Sequence, residues 1–527
     1  MVRPGLWSPA VEPSPAEQAV MKAVRRAKLF VFLRQHRHEL FDAEFQAELA
    51  GAYADRPKGQ PPVPPAQLAL ATIVQAYAGV SDDEVIEATV MDRRWQLVLD
   101  CLDTGEPPFS KGTLVGFRKR LIEHDLDRRL VERTVALAAR TGGFGARALR
   151  AALDSSPLWG AGRVEDTYNL IGHALRKALG VIAALQGRGQ AEGIAVVAGR
   201  AGTPQLAASS LKAALDVDWD QVTARDQALA QVLGLLERVE TYLATAAGGD
   251  DARACLQVAH QVRDQDVDMT GPVPVLRAGV AKDRRISVED AGMRHGRKTR
   301  SVLFDGYKRH VLRDLDTGLV VAAGLTPANA PEASVTPSIT TDLQAAGRQL
   351  SELHIDRAYL SSALVRDRSP DLTIFCKAWR VRNTTGRYAK TSFTLDFTTS
   401  QLRCPAGVSM PFTPGKTVRF PQATCAACPL RDRCTTSSHG RSVSIHPDEA
   451  LLAELRDTQA TPAGRARLRE RVQVEHALAH IGHWQGRRAR YRGTRKNLFD
   501  LRRAAVVHNL HVIARQPGAD DDHKVAA

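Results

Sequence analysis

Three acidic residues, at the ends of two predicted strands and on a predicted helix, are placed so that the fold could bring them together as metal ligands. Asp154 ends the short apolar stretch "ALRAALD", and Asp356 ends a second one, "SELHID". Ligands gather at the carboxyl ends of strands in an open α/β sheet, so the two carboxylates are predicted to meet at one edge. A lone aspartate after a strand is often an N-cap or turn residue, and this alternative stays open for each.

Glu475 lies in a long predicted helix whose pattern puts it on the inward face. It falls about 20° from Leu468 around a regular helix, and Val472 and Ala479 belong to the same sector. A carboxylate on an inward face needs a cation, hydrogen bonds or a metal. Arg471, one turn earlier, is the alternative partner in a purely structural ion pair.

Three converging carboxylates would repel one another without a counter-charge. Hard divalent cations such as Mg²⁺ (or Mn²⁺) supply that charge, prefer oxygen ligands and bind substrate phosphate. Two such ions, about 3.5–4 Å apart, activate an attacking oxygen and stabilise a leaving oxygen at phosphorus. The three acidic residues therefore predict cleavage or transfer of phosphodiester bonds.

A cysteine cluster, "TCAACPLRDRC", offers a second set of metal ligands. Cys425, Cys428 and Cys434 lie in it; Cys404 in "RCPAG" is the best fourth ligand and His439 the runner-up. This spacing suits a closed tetrahedral zinc site of the structural type, which leaves no position for catalysis. Thiols without metal remain an alternative, as does a redox pair, although the proline directly after "CAAC" speaks against the latter.

Positive charge is concentrated in two segments of this 527-residue chain, whose formal net charge is +14. Residues 461–515 hold 13 Lys and Arg against 3 Asp and Glu, and residues 282–313 hold 10 against 4. Neutralising phosphates releases counterions, so such blocks predict a polyanionic partner. A merely solubilising surface is the alternative.

The bulk composition argues against several classes of protein. Hydrophobic residues make up 44% of the chain without any apolar run long enough to span a bilayer, and the N-terminus lacks the pattern of a secretion signal. Seven cysteines are too few for a disulfide scaffold of this size. These features predict a cytoplasmic protein of several domains with no membrane contact.

The elements that must position these residues follow in the order strand, helices, hairpin, helix, strand and helix, which indicates a mixed α/β core with insertions. The hairpin is predicted around the turn "DLDTG". The predicted divisions are a disordered N-terminus at 1–20, a helical N-terminal DNA-binding domain at 21–140, the α/β core at 145–400 with a helical insertion at 165–280, a Cys-rich zinc-binding insertion at 401–446, the catalytic helix with basic C-terminal helices at 447–515, and a disordered tail at 516–527.

Local signals define helices in the N-terminal domain. "PAQLALATIVQAYAG" begins with a proline suited to a first helical turn and stops at Gly79, and Ser81 with Glu84 has the spacing of a capping box. The next basic helix, "TLVGFRKRLIEHDL", directs Arg118 and Arg120 partly outward. Three short helices of this kind are similar to a helix-turn-helix unit, although small helical bundles are a common alternative.

Taken in order, several motifs resemble those of bacterial insertion-sequence transposases of the DDE type, in the insertion-sequence 1182 group. The likeness covers nearly the whole chain and is carried by "PPVPPAQLALATIVQAY", "ALDSSPLWGAGRVEDT", "SVEDAGMRHGRKTRSVLFDGYKRHVLRDLDTGLV", "HIDRAYLSS" and "RERVQVEHALAHIGHWQGRRARYRG". It implies a ribonuclease-H-like core in which Asp154, Asp356 and Glu475 form the catalytic, metal-binding triad. Arg471 matches an arginine that related transposases have four residues before the glutamate.

The chain departs from that pattern on either side of the glutamate. Related transposases often have a tyrosine seven residues before it and a lysine seven residues after it, where this chain has Leu468 and Gly482. Lys308 and His310 share one face of a predicted strand, which turns either toward DNA or toward solvent. The predicted DNA contacts are Arg118, Arg120, Arg297, Lys298, Lys308, His310, Arg471, Arg487, Arg488, Arg490, Arg492 and Lys496.

The resemblance implies cut-and-paste DNA transposition in the bacterial cytoplasm, on the nucleoid when bound to DNA. The expected partners are terminal inverted repeats and target DNA, with a homodimer joining two element ends. The expected cofactors are Mg²⁺ or Mn²⁺ at the triad and structural Zn²⁺ at the cysteines. The alternative function is a catalytically inactive or domesticated transposase-derived protein that only binds DNA.

Overall fold

The computed structural model describes residues 3–55, 58–140, 148–245, 249–379 and 386–515, so the tail predicted at 516–527 lies outside the described residues. The helices are α1 (Pro15–Ala23), α2 (Lys28–Leu40), α3 (Ala43–Gly51), α4 (Pro65–Ala78), α5 (Asp82–Met91), α6 (Arg93–Leu99), α7 (Lys111–Glu123), α8 (Leu126–Arg140), α9 (Thr167–Leu185), α10 (Gln190–Arg200), α11 (Leu211–Ala214), α12 (Val222–Thr245), α13 (Gly249–Asp266), α14 (Thr336–Ala345), α15 (Ala363–Arg366), α16 (Gln422–Ala426), α17 (Arg431–Cys434), α18 (Glu449–Ala460), α19 (Pro462–Arg469), α20 (Val472–Gln485) and α21 (Thr494–Ala514). The strands are β1 (Leu149–Trp159), β2 (Val267–Asp268), β3 (Val275–Leu276), β4 (Arg294–Arg297), β5 (Leu303–Asp314), β6 (Val320–Pro327), β7 (Leu350–Ile355), β8 (Thr373–Cys376), β9 (Thr394–Asp396), β10 (Gln401–Arg403), β11 (Ser409–Pro411), β12 (Thr417–Arg419) and β13 (Ser442–Ser444).

The helix signals near the N-terminus are confirmed. α4 begins at Pro65, and Gly79 caps its C-terminal end with a φ of 70°, a conformation that glycine adopts without strain. Ser81 and Glu84 close the predicted capping box at the start of α5. These caps satisfy backbone groups that a helix end would otherwise leave without partners.

Residues 3–20, predicted to be disordered, are instead packed against the helical domain. α1 starts with its own capping box, and its Glu17 pairs with the fully buried guanidinium of Arg34 at 2.6 Å. Trp7 is buried, and its amide donates to the side chain of Gln46 at 2.7 Å. The Pro-rich composition gave no sign of these partners, which lie 17 and 39 residues away.

A mixed sheet forms the centre of the molecule, in the strand order β4-β5-β1-β7-β8, with β6 also pairing with β5. β1 is antiparallel to β5 and parallel to β7, and β8 is parallel to β7. The predicted hairpin is confirmed as the antiparallel pair β5 and β6. The mixed α/β class is therefore confirmed.

β1 differs from its prediction at its carboxyl end. The sequence predicts a strand ending at Asp154, but β1 continues to Trp159 because its last five residues pair with Gly306–His310 of β5. β7 ends at Ile355, so Asp356 follows its strand as predicted. Asp154 therefore lies inside its own strand but level with the end of the neighbouring one.

Two further groups of elements have hydrophobic clusters of their own. Helices α9 to α13 bury a leucine- and alanine-rich cluster within the predicted helical insertion. Strands β9 to β13 enclose a smaller cluster around Phe393, Leu402 and Phe420, and this segment contains the four clustered cysteines. Within the described ranges, no helix is both long and apolar enough to cross a membrane.

Helix α21 joins the N-terminal helices to the sheet. The side-chain amide of Asn509 donates from Nδ2 to the hydroxyl of Thr134 of α8 at 2.9 Å and to the Val320 carbonyl of β6 at 2.9 Å. About two turns earlier in the helix, Arg502 pairs with Asp127 of α8 at 3.3 Å and with Asp342 of α14 at 3.0 Å. The same helix thus bonds both parts of the molecule.

Candidate functional site

Asp154 and Asp356 occupy neighbouring positions on two parallel strands. Leu153 of β1 pairs with Ile355 of β7, and each aspartate is the next residue along its chain. Adjacent strands lie about 4.8 Å apart, so the backbones of the two aspartates run side by side. Asp356 is exposed, and its carboxylate accepts a 3.3 Å hydrogen bond from the amide of Ala358.

Arg471 links Asp154 to Glu475. Its Nη1 donates to Asp154 Oδ2 at 2.5 Å, and its Nη2 donates to Glu475 Oε1 at 2.9 Å. Only 14% of the Asp154 side chain is exposed, and this burial raises the pKa of its carboxyl, while the charge of Arg471 opposes the rise. The guanidinium therefore supplies counter-charge to two of the three predicted ligands.

Glu475 is not on an inward face, and this prediction is wrong. α19 ends at Arg469 and α20 begins at Val472, so Leu468 belongs to a different helix and gives no reference for the face of Glu475. The buried residues of α20 are Val474, Ala477, Leu478, Ile481 and Gln485. The Glu475 side chain is 51% exposed and turns toward Arg471 at the sheet edge.

Lys308 and His310 share a face of β5, but that face is covered. Lys308 donates to the Ala330 carbonyl at 2.8 Å and pairs with Glu332 at 2.9 Å. His310 is fully buried, with ring nitrogens 2.8 Å from the Tyr359 hydroxyl and 3.0 Å from that of Thr326. Burial lowers the pKa of His310 to about 3, so the ring is neutral and structural.

Arg118, predicted to contact DNA, is likewise buried. Its guanidinium forms a two-pronged pair with Asp82 and also donates to Gln75 at 3.0 Å. Arg120, on the same helix, is half-buried and lies 4.4 Å over the ring of Tyr53. The two arginines thus connect the N-terminal helices to one another.

The other predicted DNA contacts are on the surface. Arg297 and Lys298 lie at the end of β4, and the remaining ones belong to the segment around the start of α21. The exposed members are Arg297, Lys298, Arg487, Arg488, Arg490, Arg492 and Lys496. The C-terminal segment reaches the sheet directly, because the Trp159 amide donates to the Arg487 carbonyl and the Ala489 amide to that of Trp159.

Arg309 is a site residue that the sequence analysis missed. It is buried, and its guanidinium donates to Ser156 at 2.9 Å, to Gln485 at 3.0 Å and to the Gly486 carbonyl at 3.1 Å. These bonds fix the end of α20 to β1, the strand of Asp154. The signal was present, since strand alternation puts Arg309 on the face opposite Lys308 and His310.

The four clustered cysteines line a single cavity, whereas His439 is exposed outside it. Burial raises the pKa of Cys434, and the other three cysteines raise it further. In the part of the chain that the structure describes, however, no three His, Cys, Asp or Glu side chains form a group that could hold a metal ion. This finding applies equally to the cysteines and to the three carboxylates.

Comparison with protein families gives two matches. The model for the Transposase DDE domain matches residues 403–514, and the model for a Transposase domain (DUF772) matches residues 23–120. No curated protein and no solved structure matches the chain. The two matches support a DDE transposase of the insertion-sequence type, an enzyme that acts on DNA. Glu475 lies within the first match, whereas Asp154 and Asp356 lie outside both.

Proposed function

We propose that the protein is a metal-dependent transposase of the insertion-sequence 1182 group. It cuts DNA at element ends and transfers the freed ends to target DNA. Two observations support this most, in a chain with two transposase matches. Asp154 and Asp356 each follow one of the paired residues Leu153 and Ile355 on neighbouring strands, and Arg471 bonds both Asp154 and Glu475. A ribonuclease-H-like core is part of the same proposal, as is the bacterial cytoplasm as its location.

The donor set suits a hard divalent cation. Carboxylate oxygens are the ligands that Mg²⁺ and Mn²⁺ prefer. In the metal-free protein, the Arg471 guanidinium supplies the positive charge between Asp154 and Glu475. Asp154, Asp356 and Glu475 would hold the metal, which supplies Lewis acidity at a phosphodiester. Because no metal-holding group is formed among the described residues, the proposal requires the three side chains to move closer together.

The chain's own residues hold and orient the DNA. The exposed cations of the C-terminal segment border the end of β1, where they can bind backbone phosphates near the phosphodiester bond that lies at Asp154. Arg309 keeps α20, and with it Glu475, fixed to β1. Since two element ends must be joined, we include a homodimer on DNA in the proposal.

Strand cleavage with the element's own terminal repeats tests this function. Purified protein is mixed with Mg²⁺ or Mn²⁺ and duplex DNA that ends in those repeats, and a supercoiled plasmid serves as target. Nicking at the repeat boundary followed by joining to the plasmid is expected. Binding without nicking would favour a DNA-binding protein that has lost catalysis, and nicking without joining would indicate a nuclease.

Arg471→Gln is expected to raise the affinity for Mn²⁺ about tenfold in the absence of DNA. The guanidinium and the metal compete for the same two carboxylates, so its removal frees them. Titration calorimetry with full-length protein measures the change. Arg469→Gln is the matched control, because Arg469 is exposed two residues away and the charge change is the same. Equal Mn²⁺ affinities of the Arg471→Gln and wild-type proteins would show that Arg471 does not compete.

We further propose structural zinc bound by Cys404, Cys425, Cys428 and Cys434. All four line one cavity, and Arg441 donates its amide to Cys425 Sγ at 3.5 Å, as amides do to thiolates in such sites. We expect about one zinc per chain in freshly purified protein by elemental analysis, and loss of it in Cys428→Ser. Cys255→Ser, outside the cluster, should retain it. A zinc content far below one in wild type contradicts the proposal.

A further inference from the structure

A cavity opens where the basic C-terminal segment crosses the end of β1. Trp159 lies in its wall with 39% of its surface exposed, and the ring of Phe304 packs at a tilt against the indole, with ring centroids 5.9 Å apart. The backbone of Trp159 is bonded to the C-terminal segment, since its amide donates to the Arg487 carbonyl at 2.9 Å and its carbonyl accepts from Ala489 at 2.6 Å. The residue is therefore held at the end of β1, with part of its indole surface open.

The charge around this indole is predominantly positive. Four exposed arginines line the cavity, against the carboxylates of Glu289 and Asp305. Those four are Arg163, Arg487, Arg488 and Arg492. Two of these arginines already face carboxylates, because Arg492 pairs with Glu289 and Arg163 lies 3.6 Å from Glu165, whereas Asp305 pairs with His295 at 2.5 Å.

Two of the arginines are especially suited to an anionic ligand. Arg488 is anchored by donating to the Gly160 carbonyl at 3.2 Å, which neutralises none of its charge. For the Arg487 guanidinium, no carboxylate partner is found among the residues that the structure describes, although its backbone is fixed to Trp159. An anchored cation and one without a carboxylate partner thus flank the exposed indole.

We propose that this cavity binds one unpaired nucleotide of the DNA substrate, with its base stacked on Trp159 and its phosphates on the arginines. An indole surface attracts any nucleobase, and arginines bind the backbone phosphates that accompany it. Bases within a duplex are covered on both faces by their neighbours, so only an unstacked base can use this surface. The inference rests on the proposed function, because it takes the ligand to be the transposase's own DNA.

The position of the cavity defines which nucleotide enters it. Trp159 lies five residues beyond Asp154 on the same strand, a distance of about 16 Å at 3.3 Å per residue. Successive nucleotides of one strand are about 3.4 Å apart in duplex DNA. The bound nucleotide therefore lies within about five positions of the phosphate at the carboxylates.

Binding of metal-free, full-length protein to two DNA probes tests the inference. One is a blunt terminal-repeat duplex. The other carries a five-nucleotide single-stranded end and is made as a series in which one 2-aminopurine occupies each position in turn. Trp159→Ala is expected to weaken binding to the second probe about tenfold or more and to the first less than twofold. Trp159→Phe should restore most of the affinity, and quenching of 2-aminopurine within five positions should disappear only in Trp159→Ala.

Phe397→Ala is the control, because Phe397 has a similar exposure, 40%, and one aromatic neighbour, Phe412. Equal weakening of both probes by Trp159→Ala, or no weakening of either, overturns the inference. Loss that Trp159→Phe does not recover also overturns it. If wild type binds neither probe, the proposed function fails instead, so the two failures are distinguishable.

Discussion

Asp356→Ala is expected to nick terminal-repeat DNA at least about 10³-fold more slowly than wild type, with an unchanged affinity for the same DNA. The substitution removes one of three proposed ligands at the point where charge develops on the phosphate. The stability of the fold should be nearly unchanged, because the Asp356 side chain is exposed and accepts one weak hydrogen bond, from the Ala358 amide. Gel-based nicking in Mg²⁺ and binding measured in parallel separate the two effects.

The matched control is Asp367→Ala, which removes an exposed carboxylate at the end of α15 without touching the sheet edge. It should nick at the wild-type rate. Glu475→Gln should behave like Asp356→Ala, since the amide keeps the shape of the side chain and loses its charge. Wild-type rates for both Asp356→Ala and Glu475→Gln would show that the three carboxylates are not the catalytic centre.

The end of β7 was predictable from sequence, whereas the end of β1 was not. The length of an apolar stretch predicts the part of a strand that is buried on both faces. β7 ends where its apolar stretch ends, at Ile355. β1 continues beyond Asp154 to Trp159 because β5, about 150 residues later in the chain, offers a pairing edge. Such long-range pairing leaves no local trace.

The prediction that Glu475 lies on an inward helix face failed because the helix breaks between α19 and α20, and no residue pattern near the break indicates it. Neither glycine nor proline separates α19 from α20. The break coincides with Glu470, which accepts from Arg150 at 2.6 Å and from Arg467 at 2.7 Å. Arg150 is 320 residues away in the chain, so the partner that fixes this turn is invisible to periodicity.

Counting charges overstated the basic surface for a similar reason. Arg118 and Lys308 look like cations available to DNA, yet each is buried beside a carboxylate, Asp82 and Glu332 respectively. Lysine and arginine become buried when a partner offsets the cost of desolvation, and the sequence gives no indication of which carboxylate will be near. The exposed arginines of the segment after α20 were predictable, because polar residues and glycines surround them.

Arg502→Ala is expected to lower the free energy of unfolding by about 3–5 kcal/mol, the usual cost of breaking a buried ion pair on one side. The Arg502 side chain is buried with Asp127 and Asp342, and it also pairs with Asp125 at 2.6 Å. After the change Arg495 still pairs with Asp127, but among the described residues Asp342 has lost its ion-pair partner. Urea denaturation of the full-length protein measures the loss. Arg515→Ala is the control, because Arg515 is exposed just after the same helix.

The loss should depend on pH, with a sign that Asp342 determines. Burial already raises the pKa of Asp342, and Arg502 opposes that rise, so the pKa should rise further in Arg502→Ala. The folded variant then binds a proton more readily than its unfolded chain, and lowering the pH stabilises it relative to wild type. The difference in the free energy of unfolding between the two proteins should therefore be smaller at pH 5 than at pH 8.

Because Arg502 joins α8 to α14, the variant should also unfold in two steps, with the N-terminal helices separating first. A single transition at the wild-type midpoint would show that other contacts of α21 hold the two parts together.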